Sequence, residues 1–406
     1  MPKLTDKQRT RAFIWMLLSV PLGGAGVDMY LPSLPVMAHD MAATDFAIQS
    51  TVLIYLIAYG LGQIFAGPLV DGFGRRIPAI LGALLMAVAS VGITQADSIA
   101  LVLVLRVFQG IGGALTAVAA RCVVPDCYAG IERVKAANWM SIAWACGPIL
   151  SPVLGGYLQE WFNWHATFWA LGGWSILVMV TACVLLPETH PQGRDYSLRF
   201  DFGGPKAMLS DRTYLYASLA MGGVITVIYS FEVLAPFYIE IDFKHSPIYY
   251  SRVQLCLGLL WLAGNLANRF LLKVAGDQLR IYLATLIGVG VAAGMIVGDL
   301  SGFYSLLWIA IPSSIIYFSA ATIWPNLYAI CLGRFPNAGG SANGLVSGMF
   351  NLISALFSVS GALLHSATAW PLWTLYLVGL GAAGAIFVFA LRSTLQAGIA
   401  KIEEVR

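Results

Sequence analysis

Residues 12–31 read AFIWMLLSVPLGGAGVDMYL, and this run indicates the class of fold. A helix of about 20 apolar residues is long enough to cross roughly 30 Å of hydrocarbon. The run is too long for the core of a signal peptide, and no small-residue cleavage site follows it. We therefore interpret it as an uncleaved first membrane span that holds one acid, Asp28.

The rest of the chain has the same character. Of its 406 residues, 59% are hydrophobic and 11% are charged, whereas an ordinary soluble domain is roughly one-quarter charged. Apolar runs of span length recur along the sequence and predict an all-α polytopic membrane protein. The predicted transmembrane helices number twelve: 12–33, 46–68, 77–95, 98–121, 134–160, 164–186, 213–239, 248–272, 281–299, 303–332, 339–365 and 369–391.

The positions of lysine and arginine predict the orientation of these spans. Because the number of spans is even, both termini lie on the same side of the membrane. With cytoplasmic termini, the basic segments at 75–76 and 121–135 lie inside, and only Lys244 and Arg252 are basic residues outside. This is the asymmetry expected of a correctly counted topology, so we predict that both termini are cytoplasmic.

The longest polar stretch lies between the sixth and seventh spans. We predict a cytoplasmic linker at 191–211, which joins an N-terminal six-helix bundle at 1–190 to a C-terminal six-helix bundle at 212–406. The sequence GPLVD at 67–71 has a weaker echo, GNLAN at 264–268. Such internal repeats are typical of transporters in which two pseudo-symmetric halves move about a midplane site.

Composition also argues against several classes of protein. The net charge of +3 is scattered and there is no basic tail, so we expect no nucleic-acid partner. The six cysteines occur singly and the five histidines do not cluster, which predicts no metal and no cofactor. No Ser-His-Asp, His-Glu-x-x-His or paired-aspartate arrangement lies within the spans, which argues against a membrane-embedded enzyme; a receptor that has lost transport is equally disfavoured. We predict a monomer in the lipid bilayer that handles a small molecule.

Three ionisable residues lie well inside the predicted spans: Asp28, Arg106 and Glu232. Each costs several kcal/mol there and is a functional hypothesis by default. At about 1.5 Å per helical residue, all three lie roughly 7 to 13 Å below the outer boundary. An acid opposite Arg106 can change its protonation when its surroundings change, as a proton-coupled carrier needs. The alternatives are a permanent salt bridge that staples two helices and, for Glu232, a bend at Pro236 that lets the carboxylate reach the outer interface.

Other polar or deformable residues lie on the same spans. Gln109 follows Arg106 by three residues and shares its helix face. The fifth span combines bulky residues with prolines and glycines, which predicts a kinked helix able to reshape a cavity. Several aromatic residues lie within spans rather than at their ends, where they line an amphipathic cavity or simply pack. The residues concerned are Asn138, Met140, Trp144, Gly147, Pro148 and Pro152 on the fifth span, and Tyr30, Tyr55, Tyr59, Tyr229, Tyr317, Trp324 and Phe350 on others.

Four motifs, in order along the chain, resemble those of the major facilitator superfamily. GPLVDGFGRR at 67–76 looks like its signature loop between the second and third helices, and LVLRVFQGIGGA at 103–114 resembles its fourth-helix motif. Gly-Pro at 147–148 with Gly-Gly at 155–156 resembles the fifth-helix antiporter motif. DMYLPSLP at 28–35 is similar to the first-helix signature of twelve-helix drug:proton antiporters, above all of the bicyclomycin and chloramphenicol resistance (Bcr/CflA) branch.

The resemblance implies a major facilitator fold in a bacterial inner membrane, with the proton gradient as driving force. It implies that Asp28 is the protonation and substrate-sensing acid and Arg106 its partner. Asp71 with Arg75 would form the cytoplasmic lock that holds the outward-facing state. Two residues depart from the pattern: Gly72 stands where a basic residue is usual, and Ser151 replaces a usual glycine.

These inferences give three sets of candidate residues and two hypotheses for the cargo. The leading hypothesis is proton-coupled efflux of small amphipathic molecules such as drugs; the second is export of an endogenous metabolite or siderophore. The candidates are Asp28, Arg106 and Glu232 for proton coupling; Tyr30, Tyr59, Gln109, Asn138, Met140, Trp144 and Tyr229 for substrate binding; and Gly67, Asp71, Gly74, Arg75, Gly147, Pro148 and Pro152 for gating.

Overall fold

The structure is a computed structural model, and it describes residues 4–190, 203–271, 277–335, 339–363 and 368–391. Within these ranges the regular structure is helical and contains no strand. The helices are α1 (Asp6–Ser19), α2 (Leu22–Asp28), a 3₁₀ turn (Leu31–Ser33), α3 (Leu34–Asp40), α4 (Asp45–Phe73), α5 (Arg76–Ile93), α6 (Ile99–Cys127), α7 (Gly130–Trp161), α8 (Trp164–Leu185), α9 (Gly203–Ser210), α10 (Arg212–Pro236), a π-helical turn (Phe237–Asp242), α11 (Pro247–Leu271), α12 (Asp277–Leu300), α13 (Leu306–Arg334), α14 (Gly339–Leu363), α15 (Trp370–Ile386) and a second π-helical turn (Phe387–Leu391).

The helices confirm the predicted class of fold. Each of the twelve predicted spans coincides with a helix or a run of helices. In the part of the chain that the structure describes, ten helical segments are long and apolar enough to cross a membrane, and Ala342–Phe357 is a shorter apolar helix. Large apolar side chains on the outside, such as Val88, Leu286 and Leu356, are more than half exposed, as side chains that face lipid are.

Most of the long helices begin at a residue that can cap them. Thr44, Ser98, Asn163, Asp211 and Ser305 each accept a hydrogen bond from a backbone N–H in the first turn of the helix that follows. These side chains satisfy one of the donors that a helix start leaves without a partner. The sequence therefore encodes where the spans start, as well as that they are apolar.

The first predicted span consists of several short helices, and the sequence analysis predicted the span without its breaks. Proline has no backbone N–H and disturbs a helix interior. Pro21 precedes α2, Pro32 lies in the 3₁₀ turn, and Pro35 lies in the first turn of α3. As a result, Asp28 is the last residue of α2, at a break in the membrane span.

The chain divides into two compact units. The first comprises Met1–Asp201 with Ser246–Gln254, and the second comprises Phe202–His245 with Leu255–Arg406. In the first unit, α6 packs against α4 and α5, α8 packs against α5, and α7 packs against α2. In the second unit, α10 packs against α13, α14 and α15, and α12 packs against α13 and α15.

The predicted linker at 191–211 lies partly outside the described residues. Its later part forms α9 (Gly203–Ser210), and Asp211 is the N-cap of α10. The domain boundaries at residues 190 and 212 stay a prediction.

Candidate proton and substrate site

Asp28 is the last residue of α2, a short helix that packs against α7. Its side chain is buried, and its Oδ2 atom forms no hydrogen bond with the described residues. A Cβ atom added to Gly24 would lie 3.6 Å from this oxygen and 3.7 Å from Cδ of Pro148. Gly24 therefore lies beside the carboxyl group, and the same side of Gly24 lies close to Pro148, the first proline of the antiporter-like segment.

Arg106 is enclosed by oxygens and aromatic rings. Its Nη1 donates to the carbonyl oxygen of Gly26 at 2.8 Å and to Oε1 of Gln109 at 2.6 Å, and its Nε donates to the carbonyl oxygen of Thr51 at 3.1 Å. Its Cζ lies 4.4 Å from the ring centre of Tyr30 and 4.3 Å from that of Tyr55. A guanidinium between two ring faces gains cation–π attraction, which is largest where water is excluded.

The predicted pairing of Asp28 with Arg106 is wrong for this structure. Among the described residues, no ion pair within 4.0 Å joins the two side chains. The reason is that carbonyl dipoles and tyrosine rings already compensate the positive charge of Arg106. Asp28 is consequently a buried acid without a counter-charge beside it.

Tyr30 and Gln109 support Arg106 in this structure. Neither has any exposed surface. The Tyr30 hydroxyl lies 2.8 Å from Oγ1 of Thr51, and Nε2 of Gln109 donates to Oγ of Ser90 at 2.6 Å. Their predicted role in substrate binding is untested, and the contacts show that both hold the arginine in place.

The tyrosines of α4 extend from Arg106 along the first unit. The hydroxyl of Tyr55 donates to the carbonyl oxygen of Gly23 at 2.7 Å. The ring of Tyr55 stacks on that of Tyr59, with 5.7 Å between the ring centres. Tyr59 is only partly buried, so of the stacked pair it is the ring that can meet a ligand.

The middle of α7 touches the broken first span directly. A Cβ atom added to Gly155 would overlap the carbonyl oxygen of Met29, and one added to Gly147 would lie 3.1 Å from the carbonyl oxygen of Pro21. Nothing lies within 4 Å of a Cβ atom added to Gly67. The glycines of α7 are therefore required by close backbone packing, whereas Gly67 is not.

Earlier in α7, the candidates for the drug cavity differ in exposure. Asn138 and Trp144 are exposed, whereas Met140 is partly buried against the apolar core of the first unit. The structure does not bring these three side chains into hydrogen-bonded contact with Asp28 or Arg106.

A charged cluster closes one end of the first unit. Nη1 of Arg75 donates to Oδ1 of Asp71 at 2.6 Å, and Nε donates to Oδ2 of Asp126 at 2.9 Å. The side chains of Arg75 and Asp126 are each 7% exposed, whereas that of Asp71 is 67% exposed. Burial alone would lower the pKa of Arg75, but Cys122, Asp126 and Asp71 raise it overall, so the guanidinium stays charged.

The segment after α8 completes this cluster. Oε1 of Glu188 accepts hydrogen bonds from the backbone N–H of Arg75 at 2.8 Å and of His190 at 3.1 Å. The hydroxyl of Thr189 donates to Oδ2 of Asp126 at 3.1 Å. Sequence reasoning named Asp71 and Arg75 but missed Asp126, Glu188 and Thr189. A signal was available in the sequence. Asp126 and Glu188 each directly follow a proline and lie on the same predicted side of the membrane as Arg75.

Replacing Asp126 by asparagine is expected to destabilise the protein more than replacing Asp71 by asparagine. Removing one charge of a buried ion pair costs about 3 kcal/mol or more, whereas an exposed pair contributes below about 1 kcal/mol. The measurement is the thermal unfolding midpoint of the two purified variants in one detergent. Equal midpoints would contradict the assignment of Asp126 as the main partner of Arg75.

Glu232 and Tyr229 belong to the second unit, on α10. Glu232 is 1% exposed, so a bend at Pro236 does not carry its carboxyl to the surface, contrary to the alternative considered above. The hydroxyl of Tyr229 donates to Oδ1 of Asn351 at 3.1 Å. The part of Glu232 in proton coupling stays a prediction.

The sequence agrees with a family model over most of its length. The model described as Major Facilitator Superfamily matches residues 16–358. The chain belongs to the Major Facilitator Superfamily. The match includes the broken first span and the charged cluster of Arg75, and it ends in α14.

Relatives within the superfamily carry names that refer to drug resistance. The chain is 27% identical over 374 residues to a bicyclomycin resistance protein homolog of Haemophilus influenzae, which covers 90% of this chain and 91% of the relative. It is 23% identical over 370 residues to multidrug resistance protein D of Escherichia coli, with 88% and 90% covered. It is 36% identical over 172 residues to a chloramphenicol resistance protein of Pseudomonas aeruginosa, with 42% and 41% covered.

A solved structure confirms the superfamily fold. A D-xylose-proton symporter matches with a TM-score of 0.72, covering 94% of this chain and 97% of its own, at 16% sequence identity. At that identity the match concerns the fold alone. The protein is thus a multi-pass α-helical membrane protein with the twelve-helix, two-bundle architecture of its superfamily.

Proposed function

We propose that this superfamily member exports small amphipathic molecules, drugs and antibiotics among them, in exchange for protons. The observation that carries the proposal is Asp28, a buried acid without a counter-charge at a break in the first span. The names of the relatives support drug export as the direction and cargo class. In this proposal the protein lies in the bacterial inner membrane as a monomer. Both of its termini lie on the cytoplasmic side.

The chemistry follows from the neighbours of Asp28. The buried carboxylate beside Gly24 has no hydrogen-bond donor for Oδ2 among the described residues, and an unpaired buried charge costs several kcal/mol. A proton removes that charge, so closure around the acid favours the neutral form. Water or a polar cargo that reaches the acid solvates the anion and lets the proton leave. Proton and cargo therefore compete for one site.

Arg106 has a positioning role in this scheme. Its donors bind oxygens on two other parts of the unit, Gly26 of α2 and Thr51 of α4, and its own helix is α6. It thereby fixes the helix segment that ends in Asp28. Its charge also sets a positive potential near the acid without forming an ion pair.

Motion of α7 links the acid to alternating access. Pro148 lies close to Gly24, which borders Asp28, and Gly155 of the same helix lies against the carbonyl oxygen of Met29, the residue after the acid. A change in charge at Asp28 alters the packing of this contact. The cluster of Arg75, Asp126 and Glu188 then acts as the cytoplasmic lock, whose ion pairs favour one of the two states.

The test uses inside-out membrane vesicles in which ATP hydrolysis acidifies the interior. Vesicles that contain the protein are expected to accumulate radiolabelled chloramphenicol. Exchange of a neutral drug for protons moves charge, so accumulation is expected to stop when nigericin and valinomycin in potassium medium together collapse the pH gradient and the membrane potential. Vesicles from cells without the protein are the control. Accumulation that persists with both ionophores would contradict proton coupling, and a panel of neutral and cationic drugs that all fail to accumulate would contradict drug export.

A further inference from the structure

Four neighbouring aromatic rings, three half-buried and one buried, form a connected surface in the second unit. Trp261 lies on α11, Trp324 and Tyr328 lie on α13, and Phe350 lies on α14. The ring centre of Trp324 is 6.2 Å from that of Trp261, 6.3 Å from that of Tyr328 and 5.1 Å from that of Phe350. We call these four residues the aromatic face.

The rings lie at a similar depth in their helices. Trp261 and Trp324 are each about 15 Å from the last residues of α11 and α13, and Phe350 is about 16 Å from the first residue of α14, at 1.5 Å per residue. Helices of this length cross the membrane, so the three rings lie near its middle. Interfacial anchoring, the common role of membrane tryptophans, does not explain rings at that depth.

Two buried rings, Tyr317 and Phe231, pack next to the aromatic face and support Trp261. Tyr317 is buried, with its ring centre 6.5 Å from that of Trp261 and 6.0 Å from that of Phe231, which is also buried. The Tyr317 hydroxyl donates to the carbonyl oxygen of Ile228 at 3.3 Å. The ring of Trp261 is therefore held in position before any ligand binds, which reduces the entropy lost on binding.

The two tryptophans of the aromatic face and two neighbouring asparagines carry polar atoms that form no hydrogen bond with the described residues. Trp261 and Trp324 are half-buried, and their Nε1 atoms are neither hydrogen-bonded nor fully buried. Nδ2 of Asn343 likewise has no hydrogen bond, although Oδ1 of the same side chain accepts a hydrogen bond from the Tyr328 hydroxyl at 2.8 Å. Oδ1 of Asn265, one turn beyond Trp261, also has none. A tryptophan N–H or an amide in contact with hydrocarbon would lose its hydrogen bonds to water at a cost of several kcal/mol. These groups consequently face a space that holds water or a polar ligand.

The side chains that carry these groups are formally uncharged. The two indole N–H groups and Nδ2 of Asn343 are donors and outnumber the one acceptor, Oδ1 of Asn265, so the set mainly matches oxygen acceptors of a ligand. Aromatic faces also attract cations, but donors aimed into the same space present the positive ends of their dipoles. The combination favours a ring with carbonyl, nitro or hydroxyl oxygens over a lipophilic cation.

We propose that the aromatic face binds the aromatic part of an uncharged cargo by stacking, while the N–H groups of Trp261, Trp324 and Asn343 bind its oxygen atoms. This inference rests on the proposed function, because it names the cargo class of the exporter. It predicts that a neutral aromatic drug and an aromatic cation depend differently on the same tryptophan.

The test measures equilibrium binding to the purified protein in nanodiscs, without a proton gradient. The probes are radiolabelled chloramphenicol, which is neutral with a nitroaryl ring and oxygen acceptors, and tetraphenylphosphonium, an aromatic cation without acceptors. Trp324→Ala is expected to weaken chloramphenicol binding about tenfold or more, since a ring contact and a hydrogen bond are lost together. Trp324→Phe, which keeps a ring, should weaken it about threefold, and Asn343→Leu by a similar factor. Tetraphenylphosphonium binding should change less than threefold in each variant.

The control variant is Trp169→Ala, which removes an indole that is 51% exposed on α8 in the first unit. It is expected to bind both probes as the unchanged protein does. Each variant is checked by its size-exclusion profile and thermal midpoint, and Trp324→Phe still tests the inference if Trp324→Ala does not fold. Unchanged chloramphenicol binding in the Trp324 variants, or equal losses for both probes, would overturn the inference. If the unchanged protein binds and exports tetraphenylphosphonium but not chloramphenicol, the cargo class is wrong while proton-driven export stands; if it exports neither, the proposed function fails.

Discussion

Replacing Asp28 by asparagine is expected to abolish proton-coupled efflux and to leave the protein folded. Asparagine has nearly the shape of the neutral carboxyl group, so it fits beside Gly24 without a charge to bury. It cannot release a proton, so one step of the exchange is lost. We expect accumulation in inside-out vesicles below about one-hundredth of the unchanged rate, because removal of an essential group commonly costs two or more orders of magnitude. The thermal midpoint should stay the same or rise.

A second assay separates coupling from movement of cargo. Exchange of labelled for unlabelled drug across vesicles without a gradient needs no net proton transfer, so the Asp28→Asn variant is expected to retain it. The matched control is Asp97→Asn, which makes the same change at an exposed acid between α5 and α6 and should transport normally. If Asp28→Asn transports with the same rate and pH dependence as the unchanged protein, Asp28 is not the coupling acid.

The class of fold could be predicted because hydropathy is a local property. A run of about 20 apolar residues needs a membrane wherever it lies, and each predicted span coincides with helix in the structure. The breaks in the first span were also visible in the sequence, as Pro21, Pro32 and Pro35. The sequence analysis used Pro32 and Pro35 only as part of a motif and did not use Pro21, and so placed no break within the span.

The partners of Arg106 could not be predicted from spacing. A charged pair is the simplest way to satisfy two ionisable residues in a membrane, which is why Asp28 was the expected partner. The structure uses carbonyl oxygens and ring faces instead, from Gly26, Thr51, Tyr30 and Tyr55. Backbone carbonyls leave no signal in a sequence, because every residue has one.

The cluster around Arg75 shows the same limit at longer range. Asp71 lies four residues before Arg75, so sequence alone connects the two. Asp126 and Glu188 are 51 and 113 residues away, and only the packing of α5 with α6 and α8 brings them together. For the aromatic face, the sequence analysis named Trp324 and Phe350 as aromatic residues within spans. Only the packing of α11, α13 and α14 brings them together with Trp261 and Tyr328.

The second large effect is expected for Gly155→Ala. A Cβ atom at this position would overlap the carbonyl oxygen of Met29, and backbone cannot yield as a flexible side chain does. Either α7 shifts away from the broken span, or the state with this contact is lost; overpacking of this kind costs about 1–3 kcal/mol or more. Because the contact lies next to Asp28, we expect both a lower thermal midpoint and a loss of most drug accumulation in vesicles.

The matched control is Gly173→Ala on α8, where nothing lies within 4 Å of the added atom. Alanine is a better helix former than glycine by about 1 kcal/mol, so this control should be at least as stable and as active as the unchanged protein. Equal behaviour of the two variants would show that α7 does not need its close approach to the first span.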